Sequence, residues 1–284
     1  MKIYLAGATG VVGRALVPML VAAGHEVVAT TRRPENAARL AAQGVRPVVL
    51  NVLDREAVLA SLAAERPDAV IHQLTDLGSQ DFQANNRLRI EGTRNLVDAA
   101  LAAGVRRMIA QSLAFAYAPG DAPAREDDPL DVEASGSRGR MVAGVVALER
   151  ALAEVPEGVV LRYGILYGPG TWYAADGPEA ERARRGELTA DESVTSFVHA
   201  EDAARAALLA LDWPAGPVNI VDDEPAPGVA WVPLYAEVLG APPPPRSDVR
   251  DPAERGATNA KARRQLGWEP QYPTWREGFR VALG

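Results

Sequence analysis

The chain opens with Lys2-Ile3-Tyr4-Leu5-Ala6-Gly7-Ala8-Thr9-Gly10-Val11-Val12-Gly13, which reads as a short apolar strand that passes directly into a glycine-rich helix start. In such a stretch one glycine permits a tight turn, one lets the backbone approach a pyrophosphate, and one lets the helix pack on the strand. The phosphates then face the N-terminus of that helix. A second strand, Glu26–Thr30, follows the helix, and this context predicts a dinucleotide-binding site.

Strand-like and helix-like segments alternate along most of the chain, which predicts a parallel sheet with helices on both faces. The predicted strands are Lys2–Ala6, Glu26–Thr30, Val45–Leu50, Ala69–His72, Arg107–Gln111, Gly158–Arg162 and Pro217–Val221. The predicted helices are Val11–Ala23, Glu35–Gln43, Arg55–Glu65, Phe82–Ala103, Arg138–Glu154 and Glu201–Leu211. We therefore expect an α/β fold, a Rossmann-type doubly wound parallel sheet with a small C-terminal substrate-binding lobe.

Shifts in composition suggest where the domains divide. Glycine and proline crowd residues 168–186, and prolines crowd residues 225–252. We expect residues 1–163, completed by about 194–222, to form the NAD(P)-binding domain. Residues 164–193 and 223–284 are expected to form the substrate-binding lobe, because ligands bind at the carboxyl edge of such sheets.

Composition excludes several classes of protein. The 284 residues carry a net charge of -7 with no basic run, which argues against nucleic acid as a partner. There is no cysteine, so disulfides and thiolate chemistry are excluded, and three scattered histidines predict no metal site. No apolar stretch is long enough to span a membrane, and a strand stands where a leader would. We expect a cytoplasmic protein that acts on a small molecule.

The end of the second predicted strand indicates which cofactor is bound. An acidic residue there would hold the ribose 2′-hydroxyl of NAD, but the sequence is Thr30-Thr31-Arg32-Arg33. Two arginines suit a 2′-phosphate, so NADP is favoured and NAD remains the alternative. The residues expected to bind the cofactor are Gly7, Thr9, Gly10, Val11, Val12, Gly13, Arg32, Arg33, Asn51, Val52, Leu74 and Gln111.

Further motifs lie along the chain. They are Gly92-Thr93-Arg94-Asn95-Leu96-Val97, Gln111-Ser112 followed by Tyr117, Leu161-Arg162-Tyr163-Gly164, Tyr167-Gly168-Pro169-Gly170, Ser196-Phe197-Val198-His199 with Asp202, and the segment from Asn259 to Trp268. With the glycine motif, they make the chain similar to the extended short-chain dehydrogenase/reductase family of epimerases, dehydratases and reductases. The resemblance implies a nicotinamide cofactor in the N-terminal domain and a substrate held mainly by C-terminal segments.

One feature of that family is missing. Its members carry a tyrosine followed four residues later by a lysine, and this pair passes a proton while hydride moves. Met141 and Val145 stand at the two positions here, and the only lysines in the chain are Lys2 and Lys261. Arg89 likewise stands where the family often has an asparagine. Any proton donor must therefore come from elsewhere.

Other residues are candidates for the active site. Ser112 and Tyr117, after the fifth strand, and Tyr163, after the sixth, are candidate catalytic hydroxyls, although the two tyrosines also stand at positions that are often structural. Thr171, Trp172 and Tyr173 follow a rigid Gly-Pro-Gly turn and are expected to form a wall for the substrate, with a core or lid role as the alternative.

These observations favour an atypical NAD(P)-dependent oxidoreductase or epimerase that acts on a small hydroxylated or carbonyl compound, with a sugar nucleotide as one option. Two alternatives stay open: a non-catalytic NADP-binding sensor, and a lyase or isomerase that uses the same site without net redox chemistry. The helical stretches Phe82–Ala103 and Arg138–Glu154 are apolar enough to form a homodimer.

Overall fold

A computed structural model describes residues 1–76 and 81–283. The strands are β1 (Lys2–Ala6), β2 (Glu26–Thr31), β3 (Arg46–Val49), β4 (Ala69–His72), β5 (Arg107–Leu113), β6 (Glu157–Tyr163), β7 (Ile165–Tyr167), β8 (Val194–Thr195), β9 (Phe197–His199), β10 (Gly216–Ile220) and β11 (Ala226–Pro227). The α-helices are α1 (Val11–Ala22), α2 (Ala37–Ala41), α3 (Arg55–Glu65), α4 (Phe82–Arg87), α5 (Thr93–Ala102), α6 (Gly136–Leu152), α7 (Pro178–Arg184), α8 (Ala200–Leu209), α9 (Gly228–Val238), α10 (Ala260–Gln265) and α11 (Trp275–Leu283).

All seven predicted strands are present, and they form one parallel sheet in the order β10-β6-β5-β4-β1-β2-β3. The order reverses beside β1, whose neighbours are β2 and β4. Ligands bind in the crevice at such a switch point, beyond the carboxyl ends of the strands. The Rossmann-type fold predicted from sequence is confirmed.

Both faces of the sheet are buried. Tyr4, Val28, Val70 and Met108 point to one face and pack in a core with α3, α5 and α6. Their chain neighbours, such as Leu5 and Ile71, are buried on the opposite face. Strands covered on both sides read as continuous apolar runs, which explains why sequence alone located them.

The predicted helix Phe82–Ala103 is interrupted. α4 ends at Arg87, the backbone makes a π-helical turn over Leu88–Gly92, and α5 begins at Thr93. π turns of this kind are frequent at functional sites. The predicted helix Glu35–Gln43 is also shorter than expected, because a 3₁₀ turn over Pro34–Asn36 precedes α2.

Contacts between Cα atoms divide the chain into two compact units. The nucleotide unit comprises Met1–Ser112, Val132–Leu161 and Ala204–Pro217, and the second unit comprises Leu113–Asp131, Arg162–Ala203 and Val218–Gly284. The sequence-based boundaries assigned residues 113–131, 162–163, 194–203 and 218–222 to the nucleotide-binding domain. The contacts group them with the second unit, where Ala124 donates its backbone N–H to the Gly256 carbonyl.

The turn between β1 and α1 packs closely against neighbouring backbone in the nucleotide unit. Gly7 has a φ of +100°, and a Cβ there would lie 2.6 Å from the carbonyl carbon of Gln73, after β4. A Cβ on Gly13 would overlap the carbonyl oxygen of Gly7. These two glycines are therefore required for the turn to close against β4.

We predict that Gly13→Ala destabilises the protein by about 3 kcal/mol, because the new methyl group has no room beside the Gly7 carbonyl. Gly10→Ala is the matched control: its Cβ would lie 3.3 Å from the same oxygen, and a small shift relieves that contact. Urea unfolding of the two variants measures the difference. Equal losses of stability would contradict this account of the turn.

Candidate functional site

A groove runs along the carboxyl ends of β1 to β4 in the nucleotide unit. It is lined by Ala6, Gly7, Thr9, Gly10, Thr30, Thr31, Arg32, Leu50, Val52, Gln73, Leu74, Thr75, Leu88 and Leu96. Gly7, Thr9, Gly10, Arg32, Val52 and Leu74 were among the residues expected from sequence to bind the cofactor. The structure brings these six residues together at one edge of the sheet.

The N-terminus of α1 opens onto this groove. Gly10 is the N-cap residue, and no side chain caps the helix. The helical hydrogen bonds begin with the Arg14 amide, which donates to the Gly10 carbonyl. The amides of Val11, Val12 and Gly13 lie in the first turn, where a helix offers its amides no acceptor. A Cβ on Gly10 would meet only backbone oxygens, at 3.3 and 3.9 Å, so space remains above it. These features fit a pyrophosphate group.

A second, polar part of the groove lies beyond β2. It is lined by Thr9, Arg14, Thr31, Arg32, Arg33, Asn36 and Arg39, and no carboxylate is among these residues. Thr9, Thr31 and Arg32 also line the first part, so the two parts are continuous. Arg32 makes an ion pair with Asp76 at 3.2 Å. Sequence analysis missed Arg14 and Arg39, although both belong to helices whose starts were predicted.

Two other residues expected at the cofactor are placed differently. Asn51 is exposed, and its side-chain oxygen accepts a hydrogen bond from the Leu53 amide at 3.2 Å. Its side chain thus closes a local turn. Gln111 is half-buried within β5 and is not among the groove residues. Their roles in cofactor binding stay predictions.

His72 ends β4 beside the groove and is completely buried. Its Nδ1 accepts the Leu74 amide at 3.2 Å, so Nε2 carries the proton and donates to the Thr93 hydroxyl at 3.0 Å. Burial, assisted by the charge of Arg89, lowers the pKa of His72 to about 4. The imidazole is therefore neutral near pH 7, and both of its nitrogens already have partners.

The candidate hydroxyls are buried and hydrogen-bonded. Ser112 donates to the carboxylate of Glu149, on α6, at 2.7 Å. In the second unit, Tyr117 donates to Asn219 at 2.6 Å and accepts from Arg162 at 2.8 Å, and burial raises its pKa to about 12. Tyr163 donates to the Ala203 carbonyl at 3.2 Å. These surroundings favour structural roles for both tyrosines, and their catalytic assignment stays a prediction.

The expected substrate wall is part of the packing of the second unit. The Thr171 hydroxyl donates to the Gly168 carbonyl at 2.8 Å and accepts the Tyr173 amide at 3.2 Å, which fixes the turn. The Tyr173 ring contacts Phe197 and Tyr235 edge-on, with centroids 5.6 and 5.5 Å apart. Trp172 is half-buried. Tyr173 thus packs against an aromatic core, Thr171 holds the turn before it, and a substrate contact at these positions stays a prediction.

Comparison with known proteins decides the family. The family model described as "NAD dependent epimerase/dehydratase family" matches residues 3–221. The chain belongs to this family. It is 46% identical over 305 aligned residues to a 3-diazoavenalumate denitrifying reductase from Streptomyces sp, covering 98% of this chain and 99% of that protein. A 2-alkyl-3-oxoalkanoate reductase from Stenotrophomonas maltophilia is 30% identical over 201 residues, covering 66% of this chain and 57% of that protein.

Solved structures agree on the fold. The UDP-glucose 4-epimerase of Thermus thermophilus, solved in complex with NAD, superposes with a TM-score of 0.78 at 23% identity, covering 100% of this chain and 98% of the other. The family and the reductase relative show that this protein is an enzyme of the NAD-dependent oxidoreductase and epimerase type. They also confirm a nicotinamide dinucleotide as the kind of cofactor. The expected family and enzyme class are therefore confirmed.

Met141 and Val145, which sequence analysis placed at the tyrosine and lysine positions of the family, both lie in α6, and that alignment stays a prediction. Val145 is fully buried and Met141 half-buried, and neither side chain holds or passes a proton. Lys2 lies at the amino end of β1, where its ammonium pairs with Glu65 at 3.0 Å. Lys261 lies in α10, in the second unit. Neither lysine follows a tyrosine by four residues, so the chain supplies no pair of the usual kind.

Among residues 1–76 and 81–283 no cluster of three or more histidine or acidic side chains is arranged to hold a metal. Within the same ranges, every helix is too short or too polar to cross a bilayer.

We predict that His72 makes stability depend on acid pH. Its folded pKa of about 4 lies below the ordinary value of 6.5, so between these values the unfolded chain binds a proton that the folded protein excludes. Stability therefore falls as the pH drops from 6.5 towards 4. In urea unfolding at pH 7 and pH 5, His72→Gln should lose about 2 kcal/mol less than the parent protein between the two pH values. An identical loss in both proteins would show that His72 is not held neutral.

Proposed function

We propose that this enzyme is an NADPH-dependent reductase that replaces an aryl diazonium group on a carboxylate-bearing substrate with hydrogen. The match to the denitrifying reductase carries the proposal, because it extends over 98% of this chain and 99% of that protein. Enzymes with one fold serve many substrates, so the chemistry must also suit the residues of this site.

The lack of a proton relay supports this reaction. Reduction of a carbonyl needs a hydride at carbon and a proton at oxygen, which the usual tyrosine delivers. Reductive loss of a diazonium group needs only the hydride: a C–H bond forms, the C–N bond breaks, and its electron pair leaves with N₂. The nicotinamide supplies that hydride when NADPH is bound. Met141 and Val145 are compatible with such chemistry because no proton has to be transferred.

The residues of the groove would bind and orient the cofactor. The first-turn amides of α1 would donate hydrogen bonds to the pyrophosphate. Gly7 and Gly13 are buried, and they let this turn lie close to the end of the sheet, where the pyrophosphate would bind. Arg33 and Arg39 line the polar part of the groove together with Arg32, and a guanidinium binds a phosphate through paired hydrogen bonds. This composition favours the 2′-phosphate of NADP over the free ribose of NAD.

The first experiment follows the hydride. With 4-deuterated NADPH and 3-carboxybenzenediazonium as the probe, we expect N₂ release, nicotinamide oxidation, and one deuterium on the ring carbon that held nitrogen. In D₂O with unlabelled NADPH, that carbon should carry hydrogen. Deuterium from solvent at this carbon, or NADPH oxidation only with a 3-oxoalkanoate, would overturn the denitrifying assignment.

The second experiment tests the cofactor. Replacing both Arg32 and Arg33 with alanine should raise the Kd for NADPH about tenfold or more and leave that for NADH unchanged, because only NADPH carries the 2′-phosphate. Arg106→Ala is a control, since Arg106 is exposed and lies before β5, at the opposite end of the strands. Titration by nicotinamide fluorescence gives both constants. Equal weakening of the two nucleotides would mean that the arginines do not read the phosphate.

A further inference from the structure

Arg89 is a buried cation for which the protein provides no counter-ion. It lies in the π turn, and only 9% of its surface is exposed. No acidic side chain in residues 1–76 and 81–283 pairs with it, and residues 77–80, Leu-Gly-Ser-Gln, contain none. Burial lowers the pKa of the guanidinium only to about 10, so it is charged at neutral pH.

A charge in this position is costly. Buried charges in proteins are normally paired, and an unpaired one destabilises the fold. The neighbouring titratable group, His72, is neutral, and Arg89 lowers its pKa further. The protein therefore carries a cation that its own residues do not neutralise, which is the arrangement expected when a ligand supplies the anion.

Arg89 does not line the groove itself, but it is next in the chain to a residue that does. Leu88, the preceding residue, lines the groove, and so does Gln73, which follows His72. The same helical segment also packs against α6, because Gly144 leaves room for the side chain of Asn86 directly on its backbone. Val145 is the next residue of α6. Arg89 thus brings a positive charge to a helix pair from which the family's lysine is missing.

We infer that Arg89 binds the carboxylate of the substrate. This inference rests on the proposed function and names the part of the substrate that the site recognises. The pyrophosphate of the cofactor is assigned to the N-terminus of α1 and its 2′-phosphate to the arginines beyond β2, so the remaining anion is the substrate itself. Both reductase relatives act on compounds that their names describe as carboxylates, a diazoavenalumate and an oxoalkanoate.

The test compares two ligands of equal shape that differ in charge. Benzoate and benzamide are titrated into the NADPH complex, and binding is followed by nicotinamide fluorescence. The parent protein should bind benzoate at least tenfold more tightly than benzamide. Arg89→Met should bind both equally, and Arg89→Lys should keep part of the preference. Arg87→Met is the matched control, because Arg87 is exposed and pairs with Glu91 on the surface; it should behave as the parent does.

A second measurement separates ligand binding from a structural role. Without ligand, Arg89→Met should melt at the same temperature as the parent or higher, because it removes an unpaired buried charge. A lower Tm would indicate a structural arginine and overturn the inference. It is also overturned if the parent does not distinguish benzoate from benzamide, or if Arg89→Met weakens NADPH and leaves benzoate binding intact. Failure of the proposed function is distinguishable, because it shows in the parent protein as absent NADPH binding or absent deuterium transfer.

Discussion

The contact between the β1–α1 turn and the end of β4 is the constraint on which the nucleotide unit depends. Gly13 lies against the Gly7 carbonyl, and Gly7 lies against the backbone after β4. This close approach aims the first-turn amides of α1 at the switch point of the sheet. It also leaves the position above Gly10 open. Gly7 and Gly13 allow the backbone to pack closely, and Gly10 leaves space for a ligand. One short motif therefore determines both the fold and the phosphate site.

The buried histidine beside the groove and the candidate tyrosines have hydrogen-bond partners within the protein. His72 has partners on both nitrogens and stays neutral. Tyr117 is hydrogen-bonded at its hydroxyl by Asn219 and Arg162, and Tyr163 is bonded to a carbonyl. Beside the groove of the nucleotide unit, the neutral His72 has no proton to give up, which agrees with the proposed reaction, in which a hydride is delivered and N₂ leaves without a proton. The chemistry and the missing tyrosine–lysine pair then have a common explanation.

Much of the fold was predictable because its signals are local. Strands buried on both faces are continuous apolar runs, and the strand, turn and helix start of the glycine motif can all be recognised within twelve residues. The hydrogen bonds of the Tyr117 hydroxyl were not predictable in this way. This hydroxyl donates a hydrogen bond to Asn219, which lies 102 residues away in the chain. Such a long-range pairing leaves no local pattern in the sequence. The π turn was missed as well, since residues 82–103 keep a helical pattern through it. Arg14 and Arg39 line the groove because of the placement of their helices, which propensity does not specify.

Arg89 shows why a stability argument and a functional argument have to be made together. A fold optimised only for stability would place an apolar or a paired residue in the π turn, because an unpaired buried guanidinium opposes folding. A ligand that binds the folded state alone stabilises it by RT ln(1 + [L]/Kd), where [L] is the ligand concentration, and so offsets that cost. The free protein is thus less stable than its packing permits, and the same unmet charge provides selectivity between an anionic ligand and its neutral analogue. Selectivity that comes from a charge differs from selectivity that comes from shape. Removal of the Arg89 charge abolishes the preference for the anionic ligand, whereas the affinity for the neutral analogue stays the same.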